Sequence, residues 1–270
     1  MTVAEIYKRA LGGEFPIDEL TDEQYAQRRC DRSNAVVGDL EGYDCPLCLN
    51  RGYITRVAGR VELVTAECSC MEIRRSMTRM SISGLGEVMG RLTFERFRAE
   101  QPWQQSMLEK GRAYAASPSG WFVVCGQSGC GKTHICTATA GQLLRQGRSV
   151  RYVLWRELSA RLKAAMNQPE YEQLMTPLKK CDVLYIDDLF KGRRGEEVTD
   201  SDIKLAFELL NARYIREAPT IISTERTLND LFNADEAIGG RIYEMSGGSA
   251  GYCLEIKHDR TNNYRLRKKR

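Results

Sequence analysis

The octapeptide Gly126-Gln127-Ser128-Gly129-Cys130-Gly131-Lys132-Thr133 constrains this chain more than any other stretch. It follows the apolar run Trp121-Phe-Val-Val-Cys125, which reads as a strand, and precedes a helical pattern that extends to about Arg145. Glycines at these spacings let a backbone curl closely around a polyphosphate with its amides turned inward, where a side chain would obstruct the approach. The amino terminus of the following helix adds partial positive charge. In such a loop Lys132 reaches the β and γ phosphates of a nucleotide as a point charge, and the Thr133 hydroxyl is placed to ligate Mg²⁺. The eight loop residues and the adjacent His134 are therefore the candidate cofactor-binding set for ATP. Cys130 and His134 are read as packing residues of the loop in preference to reactive groups.

A loop of this kind needs an acidic strand end downstream, and Cys181-Asp-Val-Leu-Tyr-Ile186-Asp187-Asp188-Leu supplies one. Asp187 is expected to hold Mg²⁺ through a water, and Asp188 stands where a carboxylate polarises the attacking water. Adjacent acids at the end of a buried strand repel each other unless a cation lies between them. The stretch Pro219-Thr-Ile-Ile-Ser223-Thr224-Glu225 is apolar and then polar at its carboxyl end, the end that faces the ligand crevice in a parallel nucleotide-binding sheet. Ser223, Thr224 or Glu225 either senses the γ-phosphate there or caps the strand. Arg241 follows two glycines in Ala237-Ile-Gly-Gly-Arg241. It is a surface residue by its spacing, or an arginine presented to a neighbouring subunit's site.

Further apolar runs at Val150–Trp155 and Cys253–Ile256, with helical patterns between the runs, complete five strands alternating with helices. That alternation predicts an α/β fold, a parallel sheet with helices on both faces. The sheet domain is expected to span residues 93–270. Only fourteen residues, 257–270, follow the last strand, and they are expected to form a basic appendage.

Ahead of the sheet, Cys45-Pro-Leu-Cys48 and Cys68-Ser-Cys70 form two close pairs separated by nineteen residues. Four thiolates suit a closed tetrahedral Zn²⁺ site, which is structural because no position stays open for chemistry. Free thiols and disulfides are the alternatives. Gly52-Tyr-Ile-Thr and Val61-Glu-Leu-Val read as two short strands between the pairs, giving a small zinc-ribbon-like domain over residues 1–73. A basic linker, residues 74–92, is expected between the domains, with the glycines of Ser83-Gly-Leu-Gly86 as a hinge. The remaining cysteines, Cys30, Cys125, Cys136, Cys181 and Cys253, are expected to pack in the interior.

The net charge of +4 conceals a polarised distribution. Residues 1–73 carry eight Lys/Arg against thirteen Asp/Glu, residues 74–112 eight against four, and residues 257–270 seven against one. The basic segments fit contacts with nucleic-acid phosphates, with Trp103, Tyr214 and Tyr264 available for base stacking or for packing. The longest apolar runs fall far short of the roughly 18 to 20 residues that cross a bilayer. The first residues, Met1-Thr-Val-Ala-Glu5, lack an apolar signal region. A cytoplasmic protein without membrane contact is expected.

These residues together resemble the DnaC-type helicase loaders, a branch of AAA+ ATPases that includes the IstB-like transposition helpers. The resemblance rests on Leu92-Thr-Phe94, Gly131-Lys132-Thr133-His134, Ile186-Asp187-Asp188-Leu, Asn211-Ala-Arg213-Tyr214, Ile222-Ser223-Thr224-Glu225 and Gly240-Arg241-Ile-Tyr. It implies an AAA+ sheet with catalytic Lys132, Asp187 and Asp188, a first sensor at Thr224 and Glu225, and Arg241 as an arginine finger acting in trans. Arg265, in Asn262-Asn-Tyr264-Arg265, matches the segment that carries a late arginine in that family. The implied partners are a replicative hexameric DNA helicase gripped by the cysteine-rich domain, single-stranded DNA, and further copies of the chain. The competing expectations are an IstB-like ATPase helper of DNA transposition and a P-loop small-molecule kinase.

Overall fold

The computed structural model describes residues 21–82, 85–192 and 197–266. The chain divides into two compact units, one ending at Met71 and the other beginning at Glu72. Met1–Leu20, Ser83, Gly84 and the last four residues of the basic tail lie outside the described residues.

In the first unit, helix α1 (Asp22–Asn34) starts at Thr21 because the side chains there satisfy its free amides: Gln24 N donates to Thr21 Oγ1 at 3.2 Å, and Thr21 N donates to Gln24 Oε1 at 2.9 Å. Strands β1 (Tyr53–Ala58) and β2 (Glu62–Glu67) form an antiparallel hairpin in which Tyr53 faces Glu67 and Ala58 faces Glu62. Asn34 docks α1 on β1 by donating to the Thr55 carbonyl at 2.8 Å and accepting from the Thr55 amide at 3.0 Å. A buried cluster of this unit consists of four sulfurs, Cys45, Cys48, Cys68 and Cys70, with Tyr43, Ile54 and Met71 packed on it. A unit this small buries little apolar surface, and these four sulfurs form a buried core within it.

Most of the described residues in the basic stretch 74–92 are helical. Helix α2 (Cys70–Ile82) covers the first part and the short helix α3 (Gly86–Met89) the second. The reason is local: no Pro and no Gly interrupt Cys70–Ile82, and Glu72 pairs with Arg75 at 3.8 Å and with Arg79 at 2.7 Å along one helical face. Helix α4 (Pro102–Ala116) precedes the sheet and opens on a proline, which helix starts tolerate.

The sheet of the second unit is parallel, in the order β4 (Val150–Leu154), β5 (Val183–Leu189), β6 (Thr220–Thr224), β3 (Trp121–Gly126), β7 (Cys253–Ile256). The crossovers run through α5 (Lys132–Arg145), α6 (Trp155–Ala164) with α7 (Pro169–Lys180), α8 (Asp200–Ile215), and α9 (Leu228–Ala234) with α10 (Glu236–Met245). Every residue of β3 and β6 is buried, as expected of central strands covered on both faces. Trp155, read from the sequence as the end of a strand, begins α6.

The strand order sets the chemistry. Strand β6 lies between β3, which leads into the glycine-rich loop, and β5, which ends in Asp187 and Asp188. The β5–β6 pairing is regular through Ile186 and then shifts register before Leu189, with Asp188 at φ 57° and Phe190 at φ 56°. Successive strand residues normally point to opposite faces, and this bulge releases the two acids from that alternation.

Arg213 of the Asn-Ala-Arg-Tyr motif is fully buried in α8, with no carboxylate partner among the described residues. It donates to Thr220 Oγ1 at 2.8 Å and to the carbonyls of Leu178 (2.9 Å), Cys181 (3.1 Å), Asp182 (3.3 Å) and Pro219 (2.6 Å). One guanidinium thus ties the segments that enter β5 and β6, which makes this motif residue structural.

Candidate nucleotide site and candidate metal centre

The loop after β3 turns through positive φ at Gly129 (79°) and Gly131 (97°), a region that other side chains rarely occupy. Gly131 is the residue before α5, so the loop amides and the helix terminus share one cradle. Lys132 is buried and donates from Nζ to the Gln127 carbonyl at 2.9 Å, closing the loop on itself. Beside the loop lies a cavity of ≈ 480 Å³. Of the nine predicted loop positions, Ser128, Gly129, Gly131, Lys132, Thr133 and His134 line it, whereas Gly126, Gln127 and Cys130 do not. Burial pushes the Cys130 thiol up, so it stays protonated inside the loop.

Asp187 is buried and faces hydroxyls only: Thr133 Oγ1 donates to Oδ1 at 3.3 Å, Tyr152 OH donates to Oδ2 at 3.3 Å, and Ser223 Oγ donates to Oδ1. Burial raises its pKa against the Ser223 hydrogen bond, which lowers it, and the neighbouring Asp188 adds to the rise. A carboxylate that is desolvated, beside a threonine hydroxyl and without a basic partner among its hydrogen bonds, fits a divalent cation between Thr133 and Asp187. Asp188 lines the cavity, its amide donating to Ser223 Oγ at 3.0 Å. The cation expected beside the paired acids is supplied in part by the chain itself. Lys191 Nζ lies 2.6 Å from Asp188 Oδ2 and 3.4 Å from Glu225 Oε1. Burial opposes the charge on Lys191, but Asp188 and Glu225 outweigh it and raise its pKa.

The strand-end residues divide. Glu225 lines the cavity, whereas Thr224 is buried and outside the lining, its Oγ1 donating to the Leu189 carbonyl at 2.7 Å and accepting from the Arg226 amide at 3.0 Å. Arg241 is not brought to this chain's own cavity. It lies on α10, donating to Asn211 Oδ1 at 3.1 Å and the Ala237 carbonyl at 2.9 Å, with its guanidinium 4.8 Å from the Phe207 ring centre and 5.3 Å from that of Tyr214.

His134 explains why the loop motif extends beyond Thr133. Its Nε2 donates to the Thr93 carbonyl at 2.9 Å and its ring meets Phe97 edge-on at 5.2 Å, so the segment before the sheet is fastened to α5. Burial lowers the His134 pKa, against the Thr93 bond, and favours the neutral ring. Leu92 and Phe97 thereby become apolar walls of the cavity.

The described part of the basic segment after β7 packs on the glycine-rich loop. Residues 257–266 run over the loop in two short turns, Arg260–Asn262 and Tyr264–Leu266. The Tyr264 amide donates to the Gly129 carbonyl at 2.9 Å, and Tyr264 OH donates to the Arg98 carbonyl. Arg265 Nη1 donates to Ser128 Oγ at 3.4 Å, and Tyr264 and Arg265 both line the cavity. Tyr264 is thus a cavity wall, while Tyr214 lies under Arg241 with its hydroxyl on Glu244. Ser223, expected as a γ-phosphate sensor or strand cap, instead holds Asp187, and Tyr152, Lys191, Phe97 and Tyr264 were not singled out by sequence as parts of this site. Lys191 follows Asp188 by three residues, a spacing that was legible; the others are assembled only by the fold.

In the first unit the ligand atoms of Cys45, Cys48, Cys68 and Cys70 all lie within 4.8 Å of one another. Cys45 Sγ and Cys68 Sγ are 3.8 Å apart, and Cys48 Sγ and Cys70 Sγ 3.5 Å. Tetrahedral zinc with Zn–S bonds of about 2.3 Å places its sulfurs about 3.8 Å apart, so the cluster fits the metal. Burial works against the Cys48 thiolate, but the Gly52 amide, donating at 3.3 Å, and the neighbouring thiols hold its pKa at about 6. Burial raises that of Cys68.

A five-stranded parallel sheet with one strand between the glycine-rich loop and the acidic strand end, together with the site it carries, defines a P-loop ATPase of the AAA+ class. The chain belongs to the IstB-like ATP binding protein family, which it matches over residues 61–243. It is 33% identical over 254 residues to the phage-like element PBSX protein XkdC of Bacillus subtilis (strain 168), covering 89% of this chain and 93% of that protein. It is 29% identical over 183 residues to the replicative helicase loader DnaC of Escherichia coli (strain K12), covering 66% of this chain and 71% of that one. The crystal structure of the DnaC helicase loader superposes with a TM-score of 0.55 at 21% identity, covering 63% of this chain and 98% of that chain. No described helix is long and apolar enough to cross a membrane.

Proposed function

We propose that this ATPase loads a replicative hexameric DNA helicase onto single-stranded DNA during replication initiation. The observation that carries the reading is the pairing of a phosphate site built from Lys132, Thr133, Asp187 and Asp188 with a separate four-cysteine unit ahead of it. The similarity to a replicative helicase loader supports the assignment.

In this reading the amides of Gly129–Thr133 and the Lys132 ammonium receive the phosphates of ATP. Thr133 and Asp187 hold Mg²⁺, which when bound neutralises charge on the phosphate oxygens. Ser223 and Tyr152 orient Asp187, and Asp188 takes the position that polarises a water. Glu225, at the cavity wall, is the better placed of the two expected sensors; Thr224 fixes the strand end behind it. Arg241 serves the site of a neighbouring copy as an arginine finger, which accords with its place outside this chain's own cavity. Arg265 adds a cation beside Ser128. The cysteine unit, closed by Zn²⁺ on Cys45, Cys48, Cys68 and Cys70, grips the helicase. Copies of the chain associate through the ATPase unit, and the basic segments contact the DNA backbone.

A second reading, an ATPase helper of DNA transposition, is favoured by the IstB-like family match. Co-purification with a candidate replicative helicase, with and without ATP, followed by mass measurement, separates the two. A nucleotide-dependent complex supports the loader. A protein that hydrolyses ATP and binds DNA but leaves the helicase free in both conditions removes it.

A further inference from the structure

Lys191 stands at the mouth of the phosphate site and is absent from the loop motif and the acidic strand end. It lines the same cavity as Lys132 and Thr133. Its ammonium is shared between Asp188, at 2.6 Å, and Glu225, at 3.4 Å. The Lys191 side chain is 41% exposed, against 16% for Asp188 and 27% for Glu225, so the cation is the most accessible member of the trio. The three residues come from the bulged end of β5 and the end of β6, which the register shift after Ile186 brings together.

Two carboxylates facing an incoming polyanion would repel it, and an ammonium between them removes most of that repulsion. The same ammonium has three donors on a flexible stem and can exchange a carboxylate for a phosphate oxygen. Lys132 uses one of its three donors on the Gln127 carbonyl and keeps two for phosphate. Lys191 lines the same cavity beside Asp188, the acid that in the proposed mechanism polarises the water attacking the terminal phosphate.

We propose that Lys191 is a second phosphate-binding cation, specific for the terminal phosphate, that leaves Asp188 and Glu225 for the nucleotide when a triphosphate enters. The inference rests on the ATPase reading of the cavity and adds to it a residue that distinguishes ATP from ADP. Loss of one charge-assisted hydrogen bond to the terminal phosphate corresponds to about a tenfold loss of affinity or more.

The test is calorimetric titration of the full chain, with Mg²⁺, by the non-hydrolysable triphosphate AMPPNP and by ADP. Lys191→Met is expected to weaken AMPPNP about tenfold or more and to leave ADP within about twofold. Lys191→Arg keeps the charge and is expected to retain the preference for the triphosphate. Equal weakening of both nucleotides, or no change in either, overturns the inference, since a structural or general electrostatic role moves the two together. Lys132→Ala separates the two levels. If it loses both nucleotides while Lys191→Met behaves as the parent, only the role of Lys191 falls. If Lys132→Ala binds both as the parent does, or the parent binds neither, the phosphate site itself is wrong and Lys191 falls with it.

Discussion

Gln127 and Asp259, 132 residues apart, pair in both directions: Gln127 Nε2 donates to the Asp259 carbonyl at 2.6 Å, and the Asp259 amide donates to Gln127 Oε1 at 2.7 Å. The Gln127 side chain, within the loop expected to bind the nucleotide, anchors the carboxyl-terminal segment. That segment returns Tyr264 and Arg265 to the cavity. Truncation after Ile256 removes the anchor, one wall and one cation. ATP affinity is expected to fall about tenfold, and Gln127→Ala alone by less, as two neutral hydrogen bonds of about 1 kcal/mol each are partly replaced by water. Fluorescent-nucleotide titration of the two variants checks the order.

Ser223 acts on the metal site through Asp187. It donates to the carboxylate and accepts the Asp188 amide, so one hydroxyl orients both acids. Removing a partner of a metal-binding carboxylate typically lowers metal affinity about 10–100-fold. Ser223→Ala should therefore raise the Mg²⁺ concentration needed for half-maximal ATP hydrolysis by at least about tenfold. An unchanged Mg²⁺ dependence would falsify this role.

Arg213 offers a stability test free of nucleotide chemistry. Arg213→Met removes the guanidinium that donates to the carbonyls of Leu178, Cys181, Asp182 and Pro219, of which Pro219 keeps the Leu184 amide, and with it a charge-assisted network. A loss of about 3–5 kcal/mol is expected, read as a fall in the urea midpoint. Conservation of stability would mean that these carbonyls find other donors.

His134 gives the pH dependence a sign. Its folded pKa is lowered, so protons bind the unfolded state more tightly. The stability it contributes is complete above the unfolded value near 6.5 and is lost as pH falls from there through the folded value. The urea midpoint should drop between pH 7.5 and pH 5.5, and His134→Gln should flatten that part of the profile. A variant with the same slope as the parent over this interval would place the titration elsewhere.

The four-cysteine unit is expected to hold one zinc ion per chain by metal analysis. Cys45→Ser and Cys68→Ser should each lose it, and chelation should unfold this unit while ATP binding by the second unit persists. Purified protein without zinc, or serine variants that keep it, would remove the metal assignment.

The loop, the paired acids and the cysteine pairs were legible because each is contiguous and each chemistry depends on local spacing: amides in one turn, acids at one strand end, thiols on one knuckle. The alternation of apolar runs announced a parallel sheet for the same reason, since burial on both faces leaves a mark in consecutive residues. Strand order leaves no such mark. Placing β6 between β3 and β5 lets Ser223 reach Asp187, and the bulge after Ile186 sets Lys191 between Asp188 and Glu225. The packing of residues 257–266 over the loop was not legible, because basic composition says nothing of the hydrogen bonds that Gly129 and Gln127 offer that segment. The sequence by itself determined which chemical groups the protein carries; only the tertiary structure decided which of them share a site, because hydrogen bonds and ion pairs depend on distances in space that a linear order does not contain.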